Sequence, residues 1–303
     1  MGISIYNVTK WIKMITGNSI MHVNQDMGKV FVPGCIKGYY NNLTDKVLKD
    51  KRTLELEIIP VSTDEKAGKV HFPIAIFQYG LGAYDLYLQT ESKIYISQFQ
   101  KCVAWAIENQ EESGAWNNFG FVQPNFPYSS MCQGEGASLL LRAYVSTDNK
   151  MYLEAAEKAI EFMLKPIEEG GTAKYTEKSL YLYEYTDKPC VLNGWIFSIF
   201  GLYDICLATN EKKYRIALEK NVETLKNTLP QFDNGYWSKY DLGDIITSPF
   251  YHKLHIAQLE ALGKTFNEPV FWEYKKKFEA YQANKINYCR AFVKKAWQKI
   301  REK

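Results

Sequence analysis

The stretch Tyr181-Leu-Tyr-Glu-Tyr185 sets one carboxylate, Glu184, among three phenols just ahead of Pro189. A carboxylate beside phenol hydroxyls can move protons, because the first accepts one and the second donates one. Tyr240-Asp241 and Tyr251-His252, with His255 close behind, repeat the theme later in the chain. The alternation before Pro189 predicts a strand, with Tyr181, Tyr183 and Tyr185 on one face and Glu184 on the other. Glu169-Gly-Gly-Thr172 reads as a turn, so a β-hairpin is expected over roughly residues 172–186. An apolar helix, Val191 to Leu207, follows. An amphipathic hairpin whose tyrosines only pack is the competing reading.

The elements that would carry these residues repeat. Thr90-Glu-Ser-Lys-Ile-Tyr95, Thr147-Asp-Asn-Lys-Met-Tyr152 and Thr209-Asn-Glu-Lys-Lys-Tyr214 each join two helical stretches, and Thr265-Phe-Asn-Glu-Pro-Val-Phe271 is a degenerate fourth. The spacings are 57, 62 and 56 residues, the mark of repeated helical hairpins. Helices are expected near 74–89, 93–111, 132–146, 149–165, 191–208, 211–228, 251–264 and 268–300. The first helix of each pair is the more apolar, as in a toroid whose inner ring is buried on more sides. The longer connections, near 113–130, 166–189 and 229–250, are rich in Gly, Pro, Asn and aromatics, and would gather the site at one end. Ahead of the repeats, Lys29–Pro33, Thr53–Pro60 and Lys69–Phe72 read as strands.

Composition sets limits. The 303 residues, 46% hydrophobic, fit a soluble protein of one large domain, or of one domain with a small appendage. Aromatics reach 15%, a share that sugar-stacking surfaces and large cores both use. The net charge of +3 names no partner. Residues 273–303 hold ten Lys or Arg against three Asp or Glu; a solvated face is the expected explanation. The six cysteines, Cys35, Cys102, Cys132, Cys190, Cys206 and Cys289, form no CxxC pair, which fits buried thiols in a reducing compartment. Met1 to Ile20 lacks the pattern of a signal peptide or of myristoylation, and no run of 18 apolar residues is present. A cytoplasmic setting is the expectation. No phosphate loop or nucleophile elbow occurs.

Several segments, in order, resemble the D-glucuronyl C5-epimerase family over roughly residues 72–285. They are Ile76-Phe-Gln-Tyr-Gly80, Tyr128-Ser-Ser-Met-Cys-Gln-Gly134, Leu141-Arg-Ala-Tyr144, Val191-Leu-Asn-Gly194, Phe232–Leu242 and Ser248–Gln258. The resemblance implies a mainly α fold, an incomplete α/α barrel or toroid of about four helical hairpins. A short β-containing lead-in, 1–72, would precede a catalytic domain, 73–303, with β-hairpins in the site loops. It implies inversion at C5 of a uronic acid inside a polysaccharide, glucuronyl to iduronyl in a heparosan-like polymer. The family's Glu-Tyr pair falls on Glu184 and Tyr185, its Tyr-Asp-Leu on Tyr240-Asp241-Leu242, and its further catalytic tyrosine on Tyr251. Gly243 stands where the animal members carry Arg, and most of their β-rich N-terminal part has no counterpart here.

That chemistry removes the proton α to a carboxylate and returns it from the other face, so it needs two groups on opposite sides of the ring. Glu184 and Tyr251 are the expected pair, with Tyr185 and Tyr240 orienting the sugar or stabilising the enolate. Lowering a tyrosine pKa from about 10 to about 7 corresponds to roughly 4 kcal/mol, which Lys239, Arg142 or His252 would have to supply. Gln78, Tyr79, Tyr128, Gln133, Arg142, Asn193 and His252 are candidate substrate contacts. Each has a plainer role open: a structural carboxylate partner for Arg142, helix capping for Gln133 and Asn193, core packing for Tyr128. His252 and His255 could ligate a metal, but no third ligand has matching spacing, so neither metal nor cofactor is expected. The expected partners are an acidic polysaccharide as substrate and at most a second copy of the chain, without nucleic acid or membrane. A uronate lyase sharing the enolate step, a non-catalytic glycan-binding toroid, and an inverting glycosidase using Glu184 and Asp241 are the alternatives.

Overall fold

The computed structural model describes residues 22–65 and 67–301. The stretch Met1 to Ile20, read above for targeting signals, lies outside them. Eight helices pair as four antiparallel hairpins: α3 (Pro73–Thr90) with α4 (Lys93–Glu108), α5 (Ser130–Thr147) with α6 (Lys150–Leu164), α7 (Leu192–Thr209) with α8 (Lys212–Thr228), and α9 (Pro249–Phe266) with α10 (Pro269–Ala283). The first helices pack on one another in the order α3, α5, α7, α9, which makes the inner wall of the toroid. The fold is mainly α, as expected.

The repeated turns have one cause. In the first three, a threonine ends the inner helix and its hydroxyl donates back to the carbonyl four residues earlier: Thr90 to Leu86, Thr147 to Ala143, Thr209 to Ile205. The next residue is left-handed, with φ 56° at Glu91 and Asp148 and 55° at Asn210. That conformation closes the helix by an N–H bond to the last turn. In the fourth, Thr265 also bonds back, to Ala261, but the helix runs one residue further and Asn267 takes the left-handed place.

Inner helices are buried on nearly all sides, as α7 shows from Leu192 to Leu202. This helix is also apolar and long enough to span a bilayer, with mean hydropathy 1.3, yet 72% of it is buried inside the protein. Outer helices bury one stripe, such as Tyr214, Leu218, Val222 and Leu225 of α8. Helix α5 packs closely on α7. A side chain on Gly134 would meet the backbone of Ser198, and one on Gly201 would meet the backbone of Gly134.

Three expectations about the lead-in need correction. Lys29–Pro33 is turn and irregular chain, and Thr53–Pro60 begins inside a short helix, α2 (Lys51–Glu55), that follows α1 (Thr44–Lys49). Asp50 overrides the alternation of Thr53-Leu-Glu-Leu, because its carboxylate accepts from both the amide and the hydroxyl of Thr53. Lys69–Phe72 contributes only to β2 (Gly68–Val70), antiparallel to β1 (Ser62–Asp64). The lead-in shares the main core: Tyr39, Tyr40, Leu43 and Val47 lie in it, with Tyr40 stacked on Phe200 at 4.0 Å.

The last expected helix, 268–300, is two. Asn284 turns extended, and its side chain accepts from the amides of Ile286 and Asn287, starting α11 (Lys285–Arg301).

Candidate active site

The N-terminal ends of the inner helices face one cavity of about 930 Å³. Gln78 and Ile74 reach it from α3, Met131 from α5, Asn193 and Phe197 from α7, and Tyr251 and Leu254 from α9. The Thr turns therefore lie at the opposite end. Four helix N-termini pointing at one space favour an anionic occupant.

Glu184 enters from the hairpin of β3 (Ala173–Tyr175) and β4 (Leu180–Leu182). The strand ladder stops at Leu182, earlier than the tyrosine alternation suggests. Leu180, Leu182 and Glu184 share the buried face, with Tyr181 and Tyr183 half-buried opposite. Tyr185 has left the strand, so it does not follow Tyr181 and Tyr183. It hydrogen-bonds the Glu184 carboxylate instead, its ring stacked on Phe119 at 4.6 Å and covered by the Lys188 ammonium at 4.4 Å.

Burial pushes Glu184 up to about 7, against the opposing pull of the Tyr185 hydrogen bond and of Lys188. Among the described residues no donor meets its Oε2. The carboxyl presses on Gly194, where any side chain would collide with it. Tyr251, at the third position of α9, joins the same cavity wall. Burial and then Glu184 raise its pKa above the ordinary phenol value. The expected lowering toward 7 is thus corrected: Arg142 and His252 are spent elsewhere, and Tyr251 is held as a protonated phenol. Tyr240 lies behind it, ring to ring at 5.3 Å, and its carbonyl accepts from Leu192 at the head of α7. Lys295 of α11 lies 5.7 Å from the Tyr240 ring centre.

Of the expected substrate contacts, Gln78, Tyr79 and Asn193 line the cavity. Four do not. Arg142 is 1% exposed and is held by Asp204 at 2.8 Å, the Ser138 carbonyl and the Gly38 carbonyl. Gln133 bonds the backbone of Trp116 in both directions, while the α5 cap is Ser129. Val191, with no side-chain bond, holds the cap position of α7, so Asn193 is not a cap either. Tyr128 donates to Glu111 and packs on Phe162. His252 is fully buried under the Trp237 ring at 3.7 Å. Its Nε2 faces the Phe278 carbonyl, an acceptor, so that nitrogen carries the proton and Nδ1 accepts from Ser238. Burial pushes it down to about 4, keeping it neutral. Ser238 also bonds His255, and among the described residues no third His, Cys, Asp or Glu joins the two histidines as a metal site.

Two residues were missed by sequence reasoning. Glu135 stands one residue past the Gly134 motif end, fully buried, and accepts from Gln78 at 2.9 Å. Burial drives it up to about 8. A carboxylate in the apolar inner helix was the signal that could have found it. Lys46 of α1, pushed down to about 8 by burial and held up by Glu135, lines the cavity. Nothing in a lead-in read as strands pointed to it. The wall also carries Arg52 and Lys69 with Asp50, Asp64 and Glu65, so both charge signs are present.

Residues 98–280 match the family model described as the D-glucuronyl C5-epimerase C-terminus. The chain belongs to that family. It is 28% identical over 217 residues to the D-glucuronyl C5-epimerase of Caenorhabditis elegans, an alignment covering 59% of this chain and 35% of the nematode protein. It is 30% identical over 193 residues to an uncharacterized protein of Methanocaldococcus jannaschii, covering 60% and 63%. The match therefore spans about a third of the first relative and less than two thirds of the second. Among solved structures, an alpha-1,6-mannanase from Salegentibacter sp. HEL1_6 aligns with TM-score 0.48 at 15% identity, covering 70% of this chain and 63% of that one. The unsaturated glucuronyl hydrolase of Bacillus sp. GL1 aligns with TM-score 0.48 at 12% identity, covering 94% and 82%. The architecture given above rests on the chain's own helix packing.

Proposed function

We propose that this member of the family is a polysaccharide uronate C5-epimerase, converting glucuronyl to iduronyl residues in a heparosan-like polymer. One observation carries the reading: a carboxyl raised to about 7 and a protonated phenol reach one cavity from separate segments. Glu184, as carboxylate, takes the C5 hydrogen as a proton. The C–H electron pair moves into the C5–C6 bond and onto the carboxyl oxygens. Tyr251 then delivers its hydroxyl proton to the opposite face of C5, and solvent restores both groups. Above about pH 7, where Glu184 is ionised and Tyr251 still protonated, the pair suits the epimer whose C5 hydrogen faces Glu184. Gln78, Asn193 and Lys46 line the wall and carry N–H groups of the kind a developing enolate needs.

The test is incubation of a glucuronate polymer in deuterated water, followed by NMR. Deuterium at C5 together with iduronyl signals is the expected result. An unsaturated, ultraviolet-absorbing product without inversion would make the protein a lyase. Binding without exchange would make it a glycan-binding toroid.

A further inference from the structure

Helix α11 presents its apolar stripe away from the protein. Ala291 is fully buried beneath it, with Tyr236, Trp237 and Ile246, and Gln298 bonds the Asp244 carbonyl and the Ile246 amide. Those contacts fix the inner face. On the outer face Ile286, Cys289, Val293 and Trp297 follow at helical spacing. Ile286 is 78% exposed, Val293 66% and Trp297 50%. A shallow apolar groove runs along them, closed on one side by Tyr236.

The charges around the stripe are all of one sign. The helix holds six Lys or Arg and no Asp or Glu. Lys285 lies to one side of the stripe and Arg290 and Lys294 to the other, and all three border the groove. The Arg301 guanidinium lies over the Trp297 ring at 3.5 Å. The sequence reading of a solvated basic face accounts for these charges but leaves the apolar stripe between them unexplained.

We propose that α11 docks this protein on an anionic phospholipid surface, lying in the plane of the headgroups. Ile286, Val293 and Trp297 enter the boundary with the acyl chains, and the flanking cations meet the lipid phosphates. The groove suits this occupant better than two others. A symmetric contact through α11 would set one six-fold cationic helix against another, which opposes dimerisation there. An acidic polysaccharide would satisfy the cations but has no use for exposed Ile286 and Val293. Lys295, on the inner face of the same helix, lies over Tyr240, so the docked helix is also a wall behind the candidate active site.

Cosedimentation of the full chain with extruded vesicles tests the proposal. Vesicles of phosphatidylglycerol and phosphatidylcholine in equal parts should bind it at least ten-fold more than pure phosphatidylcholine, and added salt should weaken binding. The double variant Ile286→Asn, Val293→Asn should lose at least ten-fold while keeping its melting temperature, because both side chains are exposed. Lys294→Glu should reduce the preference for anionic vesicles several-fold. The blue shift of tryptophan emission on binding should shrink in Trp297→Phe. No preference for anionic vesicles, or equal binding by the double variant, would overturn the proposal. So would a double variant that turns a dimer into a monomer with vesicle binding unchanged, since the stripe would then be a contact between copies.

Discussion

A methyl group on Gly194 would fall on the Oε2 atom of Glu184. The absence of a side chain at the start of α7 is what lets the carboxyl sit at the cavity wall rather than in it. Gly194→Ala should therefore displace Glu184 while leaving a helical position that alanine itself favours. The expected loss of C5 deuterium exchange is about 100-fold, the scale of an ångström-sized misplacement of a reacting group. The melting temperature should also fall, because the methyl meets Glu184 Cβ at 2.7 Å and the end of the hairpin must shift to admit it. Unchanged exchange would show that the observed Glu184 position is not the working one.

Tyr251→Phe keeps the ring that packs against Phe250 and Tyr240 and removes only the hydroxyl. Net inversion should stop with the fold intact. Glu184 should still take and return a proton on its own face, giving exchange from one epimer alone. Glu184→Gln should stop exchange from both epimers at neutral pH, because Tyr251, held as a protonated phenol, then lacks a base partner. Exchange from the epimer whose C5 hydrogen faces Tyr251 should return only in strongly alkaline solution, where the phenol ionises. NMR of each purified epimer in deuterated water separates the outcomes, and near wild-type inversion by Tyr251→Phe would remove Tyr251 from the reaction.

Because Glu184 must be ionised to act as base, exchange from the favoured epimer should rise with pH and level off above about 7. A rate that stays flat between pH 5 and 8 would contradict the assignment.

Glu135 gives a stability prediction of definite sign. Its folded pKa of about 8 lies above the ordinary carboxylate value of 4.5, so the folded state binds the proton more tightly. Its contribution is full below pH 4.5 and is lost as pH rises toward 8, at a slope of up to about 1.4 kcal/mol per pH unit. Glu135→Gln should flatten that decline, measured as urea unfolding from pH 5 to 8. An unchanged slope would place the titration elsewhere.

Arg142→Leu should unfold the protein rather than weaken its grip on a glycan. Asp204 would remain buried with its Tyr40 and Ser138 hydrogen bonds but without its charge partner, a loss of roughly 3–5 kcal/mol. Thermal melting checks this. A stable variant with reduced polymer affinity would return Arg142 to the substrate.

The repeats were legible in the sequence because each is local. A back-bonding threonine and a residue tolerant of left-handed φ close an apolar helix within a few positions, and no distant contact decides the matter. That Glu184, Tyr185 and Tyr251 meet at one cavity was legible because a family motif marks them. Arg142 was ambiguous, since its partner Asp204 lies 62 residues away on another helix. Lys46 was invisible for the same reason: α1 gains its meaning only by packing on α3. Thr53–Pro60 misled because alternation alone does not reveal the Asp50 cap.

The junction of Tyr40 with the inner helices bears on the order in which the chain folds. Each hairpin joins neighbours across a turn of a few residues, the kind of contact that forms fast. Tyr40 bonds Asp204 across 164 residues, a loop whose closure costs much more chain entropy. The hairpins are thus expected to form first, leaving Asp204, Ser138 and Arg142 facing an open centre until the lead-in arrives. A destabilising change such as Tyr40→Phe should then mainly speed unfolding and leave the folding rate nearly unchanged.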